Sequence, residues 1–177
     1  MQGERRAHAN ERIEMEMFVR AVLIGVGATA VMDLWAVFLK RAFAVSSLDY
    51  AMVGRWLGHM PAGRFVHASI AASPAIRGER AIGWATHYAI GIVFAGLLLL
   101  VCGQGWARAP TLGPALGVGV LTMAAPFFVM QPGMGLGIAA SRTPKPNLAR
   151  IRSLVTHAIF GLGLYGAAWV LTKVMPL

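Results

Sequence analysis

Four long apolar stretches limit what this sequence can fold into. Each contains roughly twenty mainly apolar residues, the length that an α-helix needs to cross the hydrocarbon of a bilayer. They occupy residues 18–39, 81–101, 112–130 and 154–174. Short segments of alternating polar and apolar residues, the pattern of a membrane barrel, do not occur. Because a chain in lipid must satisfy its own backbone hydrogen bonds, we expect four transmembrane helices.

The composition agrees with a membrane protein. Of the 177 residues, 57 % are hydrophobic and only 13 % are charged, which is far more apolar than a soluble domain of this size. The formal charge of +9 would suit a nucleic-acid-binding protein, but the basic residues flank the apolar stretches instead of gathering on one soluble face. We therefore expect no nucleic-acid partner.

The basic residues are concentrated in two of the three loops between the stretches. Loop one, residues 40–80, and loop three, residues 131–153, carry most of them, whereas loop two has only Arg108 and the tail only Lys173. By the positive-inside rule, loops one and three are cytoplasmic and both termini lie outside. Anionic headgroups of the bilayer would then be the partners of these two loops.

The chain is predicted to form one all-α membrane domain, residues 18–177, in which the four helices make two hairpins in a bundle. We expect residues 1–17 to be a polar segment that this domain can dispense with. The two halves share a short pattern, GVGATAVMDLW from Gly25 and GVGVLTMAAPF from Gly117. Small-residue faces such as residues 113–117 leave open a homo-oligomer or a larger membrane complex.

Loop one contains apolar residues at helical spacing between Leu48 and Met60, which predicts a short helix. In one interpretation it lies in the membrane interface, with Trp56 at headgroup depth and Arg55 and Arg64 facing lipid phosphates. In the other it packs beneath the bundle. The sequence alone leaves both open.

The third apolar stretch ends in an unusual segment, FFVMQPGMGLGIAAS. Pro126 and Pro132 remove backbone donors, so we expect the helix to kink or break near Gln131. Irregular backbone at membrane depth is tolerated where protein or water covers it. Gln131 and Met130 are therefore candidate members of a buried site.

Two similar motifs place a histidine inside an apolar stretch: ATHYAIG contains His87 and Gly91, and VTHAIFG contains His157 and Gly161. Asp33 lies inside the first stretch, and ionisable residues within membrane spans are functional candidates. The rise of about 1.5 Å per residue, counted from the basic residue that flanks each stretch, puts all three at a similar depth.

Three uses of these residues remain open. In the first, His87 and His157 ligate a b-type heme that carries electrons, and Gly91 and Gly161 leave room for the macrocycle. In the second, His87, His157 and Asp33 bind a metal or relay protons in a small transporter. In the third, they only hold helices together through hydrogen bonds, as in an accessory or scaffold subunit.

Hydrolytic catalysis is not expected, because the sequence has no Ser-His-Asp pattern, HExxH motif or glycine-rich phosphate loop. We therefore predict no catalytic residues. A single cysteine, Cys102, excludes an internal disulfide and a cysteine-based metal cluster.

Several motifs together resemble a family of small bacterial membrane proteins. The similarity is carried by VMDLWAVFLKR, RGERAIGWATHYAIG, APFFVMQPGMGLGIAASRTPKPN and RSLVTHAIFGLGLYG, and it covers nearly everything after Met17. That family is catalogued as a domain of unknown function. The resemblance implies four helices in the bacterial inner membrane, and it brings no reaction, ligand or site.

Overall fold

The computed structural model describes residues 2–176, and all regular structure in that range is helical. The helices are α1 (Gln2–Phe43), α2 (Tyr50–His59), α3 (Glu79–Arg108), α4 (Leu112–Leu121), α5 (Gln131–Gly133) and α6 (Pro146–Val174). Four segments are long and apolar enough to cross a membrane: α1, α3, α6, and the run from α4 through α5. The predicted all-α class and the four long apolar helices are confirmed.

Helix α1 lies between two neighbours, because it packs against α3 on one side and α6 on the other. Helix α6 in turn packs against α4. The core between these helices is apolar, and its fully buried members are small or branched: Ile24, Ala28, Ala95, Leu98, Ala115, Leu164 and Ala168. Small residues at such contacts let the helix backbones approach closely.

Glycines make the closest of these contacts at two helix–helix crossings, α1 with α3 and α4 with α6. A Cβ atom added to Gly25 would lie 2.5 Å from the Cα atom of Ile92, where α1 meets α3. A Cβ atom added to Gly119 would lie 2.5 Å from the Cα atom of Gly161, where α4 meets α6. Each half therefore has a close helix crossing within its glycine-rich pattern, but the contacting glycines, Gly25 and Gly119, stand at different positions of that pattern.

The polar segment before the first apolar stretch is continuous with α1, which begins at Gln2. Charged pairs one turn apart support such a helix, and Arg20 pairs with Glu16 at 3.1 Å. Arg20 is only 1 % exposed, and its guanidinium also donates to the carbonyl oxygen of Met175. This bond ties the start of the apolar part of α1 to the end of α6.

The third apolar segment is interrupted, as predicted, but the interruption begins earlier. Helix α4 ends at Leu121, a wider π-helical turn follows at Pro126–Met130, and α5 ends at Gly133. Proline has no N–H to donate to the preceding turn, and a π turn is a common way to accommodate such a defect.

The short helix of loop one packs directly on the first turns of α3. A Cβ atom on Gly54 would lie 1.8 Å from the carbonyl oxygen of Glu79, and one on Gly83 would lie 1.8 Å from that of Tyr50. Only glycine allows two helices to cross at this distance. These contacts favour the second of the two interpretations, in which the helix packs against the bundle.

Arg55 fixes this crossing from the side of α2. It is 9 % exposed, and its Nε and Nη2 atoms each lie 2.8 Å from a carboxylate oxygen of Glu79. This hydrogen bond is the main reason why the pKa of Arg55 lies above its usual value. The prediction that Arg55 faces lipid phosphates was wrong, because an acidic partner stands at the start of the next helix.

Trp56 is also buried, at 8 % exposure, and its indole N–H donates to the carbonyl oxygen of Phe65 at 2.8 Å. Its ring fills the space beside Gly133, where an added Cβ atom would lie 2.6 Å from Nε1 of Trp56. Loop one is therefore anchored to the end of the interrupted third segment.

Candidate functional site

The centre of the candidate site is a hydrogen bond between α1 and α3. Nε2 of His87 lies 2.9 Å from Oδ1 of Asp33. The hydroxyl of Tyr88 donates to the other carboxylate oxygen, Oδ2, also at 2.9 Å. The side chains of His87 and Asp33 are only 9 % and 19 % exposed. Asp33 and His87, two of the three predicted site residues, are therefore in direct contact between α1 and α3.

A third helix contributes Tyr50, the first residue of α2. Its hydroxyl oxygen lies 3.0 Å from Nε2 of His87, and its ring stacks on the imidazole with 4.2 Å between the ring centroids. Burial is the largest cause that raises the pKa of Tyr50, and the charge of Asp33 adds to it. Tyr50 is thus a neutral hydroxyl at neutral pH.

Aromatic rings enclose the site on the side of loop one. The ring of Trp84 lies 4.5 Å from that of Tyr50 and 5.8 Å from that of His87, measured between centroids. Trp84 stands one helical turn before Tyr88, so α3 presents three aromatic or imidazole rings toward α1 and α2. These rings pack against one side of the imidazole, while Trp84 itself remains exposed.

Nε2 of His87 has two oxygen neighbours, Oδ1 of Asp33 and the hydroxyl of Tyr50, and which of them it bonds depends on where the proton lies. If Asp33 is ionised, Nε2 carries a proton and donates it to Oδ1, because a carboxylate only accepts. If Asp33 holds the proton instead, Nε2 has a single lone pair, which accepts a hydrogen bond either from Oδ1 of Asp33 or from the hydroxyl of Tyr50. The arrangement therefore gives Nε2 a hydrogen-bond partner in either protonation state.

His157 takes part in a different helix–helix contact, between α6 and the end of α4. Its Nδ1 lies 2.9 Å from the hydroxyl oxygen of Thr122, which also donates to the carbonyl oxygen of Gly119 at 2.6 Å. This contact joins α6 to the end of α4, whereas His87 faces α1 and α2. The structure thus brings Asp33 and His87 together and places His157 in a separate polar contact.

The two glycines of the Thr-His motifs face neighbouring helices. A Cβ atom on Gly91 would lie 2.1 Å from Oγ1 of Thr29, and one on Gly161 would lie 2.9 Å from the carbonyl oxygen of Ala115. The space beside each glycine is therefore filled by protein. In this structure these residues serve helix packing, and they do not open a gap that fits a macrocycle.

Metal ligands are not gathered at the predicted position. Within residues 2–176, no three His, Cys, Asp or Glu side chains lie together in a way that could hold a metal ion. Oε1 of Gln131 is buried and has no hydrogen-bond partner in this part of the chain. Met130 packs against the apolar cluster formed by Trp56 and Met134.

Sequence reasoning missed Tyr50 and Tyr88 as members of the site. Tyr88 directly follows His87, and a hydroxyl next to an intramembrane histidine was a signal that could have been used. Tyr50 offered no such signal, because it reaches the site only through the close crossing of α2 on α3. Thr122 was missed for a similar reason, since the end of α4 could not be located from hydrophobicity.

The fold and this site define an all-α protein in which four helices are long and apolar enough to cross a membrane and an Asp–His pair joins two of them. The chain belongs to the family DUF2938, whose description is "Protein of unknown function". The family model matches residues 22–171. The resemblance to a domain of unknown function is thereby confirmed. The chain matches no curated protein and no solved structure.

Proposed function

We propose that this protein is an integral protein of the bacterial inner membrane with a proton-exchanging site at Asp33 and His87. Its four long apolar segments would form two hairpins, α1 with α3 and α4 with α6, with loops one and three in the cytoplasm. The excess of basic residues in these loops supports that orientation.

The observation that carries the proposal is the hydrogen bond of 2.9 Å between Nε2 of His87 and Asp33. An ionisable residue inside a membrane span is costly, and a carboxylate paired with an imidazole is a common proton relay in membrane transporters. Histidine changes its charge near neutral pH, so it can pass protons to and from a neighbouring carboxylate. A small transporter that passes protons, even without a co-transported substrate, is the class that this pair favours.

Each residue of the site has a distinct role in this proposal. Asp33 accepts the proton, and His87 delivers it from Nε2 and takes up another at Nδ1. Tyr88 stabilises the ionised carboxylate by donating to Oδ2. After transfer, the single lone pair of Nε2 accepts a hydrogen bond either from the protonated Oδ1 of Asp33 or from the hydroxyl of Tyr50, so the proton moves over one existing hydrogen bond.

Proteoliposomes test this proposal. The purified protein is reconstituted with an internal pH-sensitive dye, and a membrane potential is imposed to drive protons inward. We expect the wild type to acidify the lumen faster than protein-free vesicles. Asp33→Asn keeps the size of the side chain and removes its proton affinity, so it should lower the rate by about a hundredfold or more, as is typical when an acid–base group is lost.

Glu14→Gln is the matched control, because it removes an exposed carboxylate from the same helix. This variant should conduct protons at the rate of the wild type. A wild-type rate equal to that of empty vesicles contradicts proton passage. The role of an accessory or scaffold subunit, in which the pair only holds helices together, would then be the better explanation.

Heme binding between His87 and His157 stays a prediction, and electron transfer with it. An absorption spectrum of the protein expressed with ample heme decides it. A Soret band that disappears in His87→Ala and in His157→Ala supports the heme. Its absence from the wild type removes electron transfer from consideration.

A further inference from the structure

A pair of histidines lies outside the Asp33–His87 site, where loop one meets the end of the interrupted helix. His59 is the last residue of α2, and its Nδ1 lies 2.8 Å from Nε2 of His67. The chain reverses between them through a short 3-10 turn, Met60–Ala62. Gly63 then takes a φ of 74°, a left-handed conformation that favours glycine. The loop is folded so that two imidazoles meet.

His67 is held in place by one carbonyl group. Its backbone N–H donates to the oxygen of Gly133 at 2.9 Å, and its ring Nδ1 lies 3.3 Å from the same oxygen. Because a carbonyl only accepts, Nδ1 carries the ring proton and Nε2 presents a lone pair. A ring N–H donated to a backbone carbonyl is the arrangement that orients metal-ligating histidines.

The 2.8 Å between the two nitrogens suits neighbouring ligands of one metal ion, once each ring turns so that its lone pair points at the ion. In the neutral pair His59 donates its Nδ1 proton to Nε2 of His67; if that proton moves to Nε2 of His59, both facing nitrogens have lone pairs and no proton is lost. An ion about 2.0–2.1 Å from each nitrogen, with 2.8 Å between them, would subtend about 86°. This is near the right angle of tetragonal or octahedral coordination, which copper(II) and nickel(II) prefer.

We propose that His59 and His67 bind a divalent transition-metal ion of the copper(II) or nickel(II) class, with water as the remaining ligands. Both residues are partly exposed, which leaves room for that water. The ion would hold loop one against Gly133.

Metal titration of the full chain, purified in detergent without a histidine tag and stripped with a chelator, tests this site. We expect calorimetry to show one Ni²⁺ ion bound per chain. His59→Ala and His67→Ala should each weaken binding at least tenfold, the loss typical when a ligand or its orienting group is removed. His8→Ala is the matched control, because His8 is highly exposed and lies far from this loop in sequence.

A second variant separates a metal site from a simple structural contact. His59→Gln can still donate a hydrogen bond to Nε2 of His67 but lacks the imidazole ligand. It should lose the metal and keep the thermal midpoint of the metal-free wild type. With Cu²⁺, electron paramagnetic resonance of the wild type should show two coupled ring nitrogens.

Ni²⁺ binding that is the same in the double variant His59→Ala/His67→Ala and in the wild type would overturn the proposal. So would a wild type that binds no Ni²⁺. Asp33→Asn should bind Ni²⁺ as the wild type does, so this result is independent of proton transport.

Discussion

At the residue scale, the ionisable side chains inside the apolar segments lie at two separate helix–helix contacts, one between α1 and α3 and one between α4 and α6. Asp33 bonds to His87 and Tyr88, and His157 bonds to Thr122. The sequence was sufficient to select Asp33 and both histidines, because ionisable residues in apolar stretches are conspicuous. It was not sufficient to pair them, because the partner depends on which face each helix turns toward its neighbour.

A double-mutant cycle in detergent tests this division. Asp33→Ala and His87→Ala should show a coupling of about 1 kcal/mol in the free energy of unfolding, as expected for a hydrogen bond between membrane helices. Asp33→Ala and His157→Ala should be additive, because the two residues share no partner. Coupling of equal size in both cycles would mean that the three residues form one cluster.

At the element scale, loop one is a packed part of the molecule. Helix α2 crosses α3 at Gly54 and Gly83, and Arg55 binds Glu79 beside this crossing. Hydrophobic spacing predicted that α2 exists. Its position could not be predicted, because the close crossing depends on two glycines that are distant in sequence.

Gly54→Ala should separate α2 from α3, since its Cβ atom would lie 1.8 Å from a backbone oxygen that cannot move aside. We expect a loss of at least about 2 kcal/mol in the free energy of unfolding, as for an overpacked core. Gly166→Ala in α6 is the control, because nothing lies within 4 Å of the added atom. Similar thermal midpoints for the two variants would show that the crossing is looser than described.

At the scale of the whole molecule, four long helices and their polar ends follow directly from hydrophobicity and charge. The bounds were less predictable: α1 extends from Gln2 to Phe43, well beyond residues 18–39. Hydrophobicity locates the part of a helix that suits lipid, whereas hydrogen bonding and charged pairs let the helix continue into polar sequence.

Cysteine labelling tests the proposed orientation of the molecule. Single cysteines are introduced at exposed positions of loops one, two and three as Ala72→Cys, Thr111→Cys and Ser141→Cys, in a Cys102→Ser background. We expect a membrane-impermeant reagent to label only Thr111→Cys in spheroplasts and the other two only in inverted vesicles. The opposite pattern would place loops one and three outside the cell.

The protonation of Asp33 itself is the most direct test of the proposed site. Infrared difference spectra of the reconstituted protein, recorded while the pH is lowered, report the carbonyl stretch of a protonated carboxyl group. We predict a band that is absent in Asp33→Asn, unchanged in Glu14→Gln, and shifted in frequency in His87→Gln, because the imidazole partner of the carboxyl group is removed. A wild-type band that persists in Asp33→Asn, or keeps its frequency in His87→Gln, would contradict a proton shared between Asp33 and His87.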